Sequence, residues 1–246
     1  MEVARDPTGN QSVERLSVDQ HIVEIVSDSG EGAQKAGQTF GAVSAKMRNG
    51  VWTVEIIPAE IKPPARSPAG ASGIRIRIGD RPMTNVGDEA DLVIAFNEQV
   101  LFGRIDQRAY RKGTILLLES KWATDRVESI RESYAAALAR FQGLGLNVLE
   151  LPISAACAEL TGGARVGQNM FVLGMLCHIY DRDLVVATDE VGALFGRKGP
   201  KVVDSNQRLV RAGWEFARVN VPHQFHVAPH GGTTPQIVMN GNQAMG

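Results

Sequence analysis

Apolar and polar positions along this 246-residue chain fall in blocks that switch between a period of two and a period near 3.6, and the switches mark out strands and helices. The first block, His21-Ile22-Val23-Glu24-Ile25-Val26, is a nearly continuous apolar run that predicts a buried strand. It breaks at Ser27-Asp28-Ser29-Gly30-Glu31-Gly32. Ala33, Ala36, Gly37, Phe40, Val43, Ser44 and Met47 then recur at steps of three and four, the buried face of a helix. Val51 to Ile57, entered through Asn49-Gly50, is a second strand, and a strand-helix-strand unit of this length implies a parallel pair with a right-handed crossover. Gly73-Ile74-Arg75-Ile76-Arg77-Ile78 alternates strictly, which predicts a half-exposed strand with its arginines in solvent or at an interface. Asp91 to Phe96 and Thr114 to Glu119 read as buried parallel strands, and Asn147 to Pro152 as one more.

Between them, Asn97 caps a helix carrying Val100, Leu101, Ile105 and Tyr110 up to Gly113. Thr124 or Asp125 caps a longer helix with Val127, Ile130, Tyr134, Leu138 and Phe141, ended by Gly143 and Gly145. From Ser154 the pattern is helical over 154–160, 169–180 and 205–219. This regular alternation predicts an α/β fold, a mostly parallel Rossmann-like sheet covered by helices, as a single domain over residues 20–220. Residues 1–19 read as a flexible leader. Residues 221–236, with Pro222, Pro229, Gly231, Gly232 and Pro235, have the composition of a linker, and 237–246 read as the truncated start of a further domain.

Composition narrows the function classes. The chain is 43% hydrophobic and 22% charged, enough to bury a core, and its net charge of -1 gives no global field to hold nucleic acid or an anionic membrane. The start lacks a basic-then-apolar signal pattern and no apolar run is long enough to span a bilayer, so the expected location is the cytoplasm. Cys157 and Cys177 form no C-x-x-C motif, and two thiols fall short of the four an iron-sulfur cluster takes; in apolar, helix-like surroundings they read as structural. His223, His226 and His230 lie in the linker with no helix to fix them, so no metal site is assigned, and no residue is assigned a catalytic role.

Ligands of open α/β sheets bind at the carboxyl ends of strands, where the Gly30 turn lies. Gly32 to Thr39 has Walker-type spacing, but Gln38 stands where the phosphate-binding lysine belongs. A serine nucleophile at Ser29 lacks the G-x-S-x-G frame and an assignable His or Asp. A dinucleotide fingerprint would need glycines at Ser27 and Ser29, and Asp28 and Glu31 would repel a pyrophosphate. The alternative is a structural turn whose acidic residues complement the helix dipole. Downstream, the loop from Pro58 to Gly73 is rich in proline and small residues; Lys62 and Arg66 make it an anion-site candidate, with Ser67 and Ser72 as hydroxyl donors, or else it is an ordered connection packed on a neighbour.

The segments Ser27 to Gly37, the loop ending Gly70-Ala71-Ser72, Ala90 to Phe96 and Val166-Gly167-Gln168-Asn169-Met170 together resemble, in order and spacing, the gamma domain of the 2-oxoacid:ferredoxin oxidoreductases in the form fused to the front of the alpha subunit. Gly241 to Gly246 resembles the opening of the thiamine-diphosphate domain that follows there. Ser27, Ser29 and Glu31 replace two glycines and a glutamine of the family turn, and Gly70 alone represents its arginine and double-glycine loop. The resemblance implies an enzyme subunit, 2-oxoglutarate being the favoured substrate. The whole complex would oxidatively decarboxylate the 2-oxoacid with coenzyme A to an acyl-CoA, carbon dioxide and reduced ferredoxin. It implies thiamine diphosphate, magnesium and an iron-sulfur cluster elsewhere in the complex, none in this segment. The implied partners are the beta subunit, ferredoxin and coenzyme A, with this segment supporting assembly and coenzyme A access through Ser29, Gly30, Gly32, Lys62, Arg66, Ser67, Gly70 and Ser72. The competing reading is a non-catalytic Rossmann-like module that binds a nucleotide or serves assembly.

Overall fold

The computed structural model describes residues 15–163, 167–232 and 239. In its first half the elements are β1 (Arg15–Ser17), β2 (Gln20–Asp28), α1 (Ala33–Lys46), β3 (Gly50–Ile56), β4 (Ala71–Gly79), β5 (Ala90–Ala95), α2 (Val100–Asp106) and β6 (Tyr110–Glu119). There follow α3 (Glu128–Gly143), β7 (Asn147–Leu151), α4 (Ile153–Thr161), α5 (Gln168–Ile179), α6 (Leu184–Phe195), α7 (Pro200–Asn220) and β8 (Gln224–His226). Six strands form one sheet in the order β3-β4-β2-β5-β6-β7. Its β2, β5, β6 and β7 are parallel, while β4 is antiparallel to both β2 and β3. The α/β class and the mostly parallel sheet follow from the sequence blocks, and three layers result. On one face Val23, Ile25, Ile74, Ile76, Leu92 and Leu117 pack against α1 and the helices from α4 to α7; on the other Val26, Val93, Leu116 and Leu118 pack against α2 and α3.

The expected β2-α1-β3 crossover exists, but its strands are not neighbours: β4 is inserted between them. The reason is close packing of α1 over β4. A Cβ on Gly37 would lie 2.1 Å from the Ile74 side chain, so the helix backbone rests on β4 itself. With Ile74, Ile76 and Ile78 under the helix, the alternating arginines fall on the opposite face, and the expectation that they are solvated fails for Arg75, which is 6% exposed. Its Nε donates to the buried carboxylate of Glu24 at 2.8 Å, and its Nη1 donates to the Asp88 carbonyl at 2.6 Å. Arg104 Nε at 2.8 Å and the Tyr110 hydroxyl at 2.7 Å complete the shell around Glu24. Burial, and then the Glu24 charge, push the Tyr110 hydroxyl well above its ordinary pKa. That bond also explains why Tyr110 opens β6 rather than closing α2, and Gly113 (φ 90°) lies within the strand, not at a helix end.

The helical second half gains α6, which the apolar periodicity missed; Asp183 caps it by accepting from Val185 N–H at 2.7 Å. α5 is buried on all sides, and it meets α7 backbone to backbone: a Cβ on Gly174 would sit 1.9 Å from the Val210 carbonyl oxygen. The segments expected as leader and linker contain a pair of parallel strands, with Leu16 beside Phe225. Buried Val221, Phe225 and Val227 dock this strap, Asn49 donates to the Ala228 carbonyl at 2.8 Å, and His230 N–H donates to the Arg48 carbonyl at 2.7 Å. Apolar residues interleaved with the prolines thus fold back on the core. The expected start of a further domain at 237–246 lies outside the described residues, Met239 aside.

Candidate functional site

α1 leaves β2 on one face of the sheet and α2 leaves β5 on the other, so the order of connections reverses between these two strands. Their carboxyl ends, Asp28 and Phe96-Asn97-Glu98, flank the crevice where ligands of such sheets bind. The loop before β4 crosses this crevice. The Asp28 carboxylate accepts the backbone N–H of Arg66 at 3.0 Å to each oxygen, and Ser29 N–H donates to the Gly70 carbonyl at 3.2 Å. Glu31 folds back to accept from Asp28 N–H at 3.0 Å, which closes the turn around Gly30 (φ 91°). Burial, chiefly, holds the Glu31 carboxyl above its ordinary pKa, partly offset by that bond. Gly32 (φ 87°) starts α1 beside the first turn of α5: a Cβ there would lie 2.9 Å from Asn169 Nδ2.

The structure therefore brings Ser29, Gly30, Arg66 and Gly70 together and gives the other expected residues different duties. Ser67 accepts from Gly70 N–H at 3.2 Å and donates to the Pro64 carbonyl at 2.8 Å, so it folds the loop. Gly70 is required there, since a Cβ would meet the Pro64 oxygen at 2.9 Å. Ser72 pairs with Ser27 inside the sheet and is buried. Lys62 is exposed on the outer part of the loop and makes no hydrogen bond or ion pair among the described residues.

Arg66 is the pivot of the crevice. Its guanidinium pairs with Glu98, which is fully buried, and lies 4.0 Å above the centroid of the Trp122 ring. Lys121 Nζ is 4.5 Å from the same ring, and Trp122 Nε1 donates to the Phe96 carbonyl at 2.9 Å. Asn97 Oδ1 accepts from Gln99 and Val100 N–H at 3.0 and 3.2 Å, the cap expected at that position. Glu119, at the end of β6, accepts from Lys121 N–H at 2.8 Å and from Ser154 N–H at 2.6 Å. Arg66 Nη1, Asn97 Nδ2 and Glu98 Oε2 are buried and unmatched by any protein hydrogen bond among the described residues, so the crevice floor offers two donors and one acceptor. Glu98, Trp122 and Glu119 were missed from sequence; a carboxylate at the end of an apolar strand was the signal for both glutamates. No histidine reaches Ser29, Ser67 or Ser72 by any hydrogen bond found among the described residues. The arrangement holds the loop and presents unpaired buried polar atoms at the crevice.

No described helix is long and apolar enough to cross a membrane, and no described group of three or more His, Cys, Asp or Glu side chains is placed to hold a metal ion. The fold and this crevice define an α/β module with a ligand crevice at the switch point of its sheet, and residues 23–216 match the pyruvate ferredoxin/flavodoxin oxidoreductase family. The chain belongs to that family. It is 27% identical over 221 residues to the 2-oxoglutarate oxidoreductase subunit KorA of Mycobacterium tuberculosis, 87% of this chain but 33% of that protein. It superposes on the 2-oxoglutarate:ferredoxin oxidoreductase of Magnetococcus marinus, solved with 2-oxoglutarate, coenzyme A and succinyl-CoA bound, with a TM-score of 0.72, at 23% identity, covering 92% of this chain and 36% of that one. The chain thus spans about one third of the length of these relatives. It covers 99% of the gamma subunit of a keto/oxoacid ferredoxin oxidoreductase from Geobacter sulfurreducens (TM-score 0.58, 15% identity, 82% of this chain). It covers 97% of the pyruvate oxidoreductase subunit PORC of Thermotoga maritima (TM-score 0.54, 18% identity, 81% of this chain).

Proposed function

We propose that this chain is the gamma-type domain at the front of the alpha subunit of a cytoplasmic 2-oxoacid:ferredoxin oxidoreductase, with 2-oxoglutarate as substrate. One pair of coverages carries the reading. The chain fills the Geobacter sulfurreducens gamma subunit and the Thermotoga maritima subunit PORC almost end to end but only a third of the larger protein named for 2-oxoglutarate. In the complete enzyme, formed with a beta subunit, the 2-oxoacid is decarboxylated, its acyl group passes to coenzyme A, and the electrons pass to ferredoxin. Thiamine diphosphate, magnesium and an iron-sulfur cluster belong to the other parts. Thiamine diphosphate supplies carbanion stabilisation to the decarboxylation. The residues of this chain do not fit a cluster, because its two thiols are buried in separate helices, Cys157 in α4 and Cys177 in α5.

The contribution of this domain is to hold the 58–70 loop at the crevice as a surface for assembly and coenzyme A access. The Asp28 carboxylate fixes the loop backbone, and Glu98 and Trp122 fix the Arg66 side chain. Full-length protein assembled with its beta subunit should reduce ferredoxin in the presence of 2-oxoglutarate and coenzyme A; no coenzyme A-dependent reduction with any 2-oxoacid ends this proposal. The competing nucleotide-binding module is separated by calorimetric titration of the chain with coenzyme A, NAD and FAD. Tight NAD or FAD binding is the result that favours the competitor.

A further inference from the structure

β3 is an open edge of the sheet. It pairs with β4 along seven residues, and no described strand lies on its other side. Proteins ordinarily blunt such an edge with lysine, proline or a bulge. Gly50-Val51-Trp52-Thr53-Val54-Glu55-Ile56 carries none of these and keeps regular register with β4 throughout. Val51 and Thr53 face α1, each 3.4 Å from where a Gly41 Cβ would lie. Trp52 and Val54 face the other side, beyond the cover of α2 and α3, and are 42% and 44% exposed. Exposed Ile57 and Ile61 continue the apolar strip.

We propose that this edge pairs with the same edge of a second copy of the chain, antiparallel about Thr53, so that two sheets become one. The register is self-complementary. Trp52 then stands opposite Val54 of the copy, an aromatic and β-branched pair of the stabilising kind, and Val51 stands opposite Glu55, so no two like charges meet. A shift of the axis to Val54 would set Pro58, which has no N–H, against Gly50 of the copy. The charges agree with the same direction. Exposed Arg81, whose carbonyl is packed on Gly50, marks the basic end of the edge, and Glu55 and exposed Glu60 mark the acidic end; antiparallel pairing brings opposite ends together. Neither Arg81 nor Glu60 has an ion-pair partner among the described residues. An interface of one strand and a few side chains lies at the small end of specific interfaces, which implies a dimer that dissociates on dilution.

Sedimentation of the full chain from about 1 to about 200 μM should therefore show a monomer-to-dimer transition. Thr53→Cys, which faces itself across the two-fold axis, should form a disulfide-linked dimer on air oxidation, while Val51→Cys, which faces Glu55 of the copy, should not. The buried Cys157 and Cys177 do not compete. Trp52→Lys should abolish the dimer without shifting the unfolding midpoint, since the side chain is half exposed. A chain that stays monomeric to the highest concentration overturns the proposal, as does a dimer that survives Trp52→Lys or a Val51→Cys that cross-links as fast as Thr53→Cys. A monomeric chain whose Trp52→Lys variant loses only its association with other subunits also overturns it, and assigns the edge to them.

Discussion

Replacing Arg66 by alanine tests both the fold of the crevice and its part in coenzyme A access. The substitution leaves the backbone N–H of residue 66 on Asp28, so the path of the loop survives; what goes is the guanidinium on Glu98 and over Trp122. Removing one partner of a buried ion pair costs about 3 to 5 kcal/mol, because the other charge stays buried. Glu98 is fully buried, but Gln99 Nε2 still donates to it at 2.9 Å and Arg66 is itself 13% exposed, which places the loss near the lower end, about 3 kcal/mol. Loss of the ring contact at 4.0 Å adds roughly 1 kcal/mol. Urea unfolding of the chain measures the sum, and Glu98→Gln in the Arg66→Ala background should restore part of it by removing the stranded charge. A loss below about 1 kcal/mol, or a double variant no better than the single one, refutes the reasoning. In the assembled enzyme the same variant reads the loop's role. A KM for coenzyme A raised tenfold or more at unchanged kcat marks direct binding, and an unchanged KM beside the stability loss returns Arg66 to a structural duty.

Arg75→Met should cost about 3 kcal/mol in urea unfolding, since it strips Glu24 of one of its two arginines and unpins the Asp88 carbonyl, whereas Arg208→Ala, in an exposed pair with Asp204, should stay within about 0.5 kcal/mol; equal effects would refute the distinction. Gly174→Ala should lower stability by about 2 to 3 kcal/mol because the Val210 backbone cannot yield, while Gly103→Ala, in α2 with open space around it, should be neutral or stabilising in the same thermal melts. Buried His178 stands edge-on to Trp214 at 5.1 Å, and burial holds its pKa below the ordinary value. The unfolded chain therefore takes the proton first, and stability declines as pH falls from about 6.5 towards the folded pKa, by up to about 1.4 kcal/mol per pH unit for this group. His21 and His223, also lowered mainly by burial, act with the same sign. His178→Leu should flatten the pH dependence, and an unchanged slope between pH 7 and 5 would show that His178 does not contribute.

The carboxyl-end turn was legible because its signals are local. An apolar run before Ser27 and helical spacing after Gly32 define a strand-to-helix turn whatever surrounds it. Asn97 was legible for the same reason, as a side chain capping the turn that follows it. Arg66 and Gly70 were named as part of a loop rich in proline and small residues, and the structure sets them on Asp28 and Ser29. Lys62, Ser67 and Ser72 were legible only as residue types; exposure, a turn within the loop and a place inside the sheet separate them. Glu98 and Trp122 went unread because a glutamate and a tryptophan 24 residues apart acquire a common purpose only when β5 and β6 end side by side.

By itself the sequence determined the blocks: which stretches are strands, which are helices, and that they alternate as an α/β protein, because periods of two and 3.6 residues are written in neighbouring positions. The tertiary structure alone decided the order of the strands. A glycine at position 37 lets α1 lie on β4, and that close approach inserts β4 between strands that the chain joins directly. It likewise turned alternating arginines into the buried shell of Glu24 and a proline-rich tail into a strap on the core. Burial, pairing and charge compensation depend on residues far apart in the chain, and no local pattern records which of them will meet.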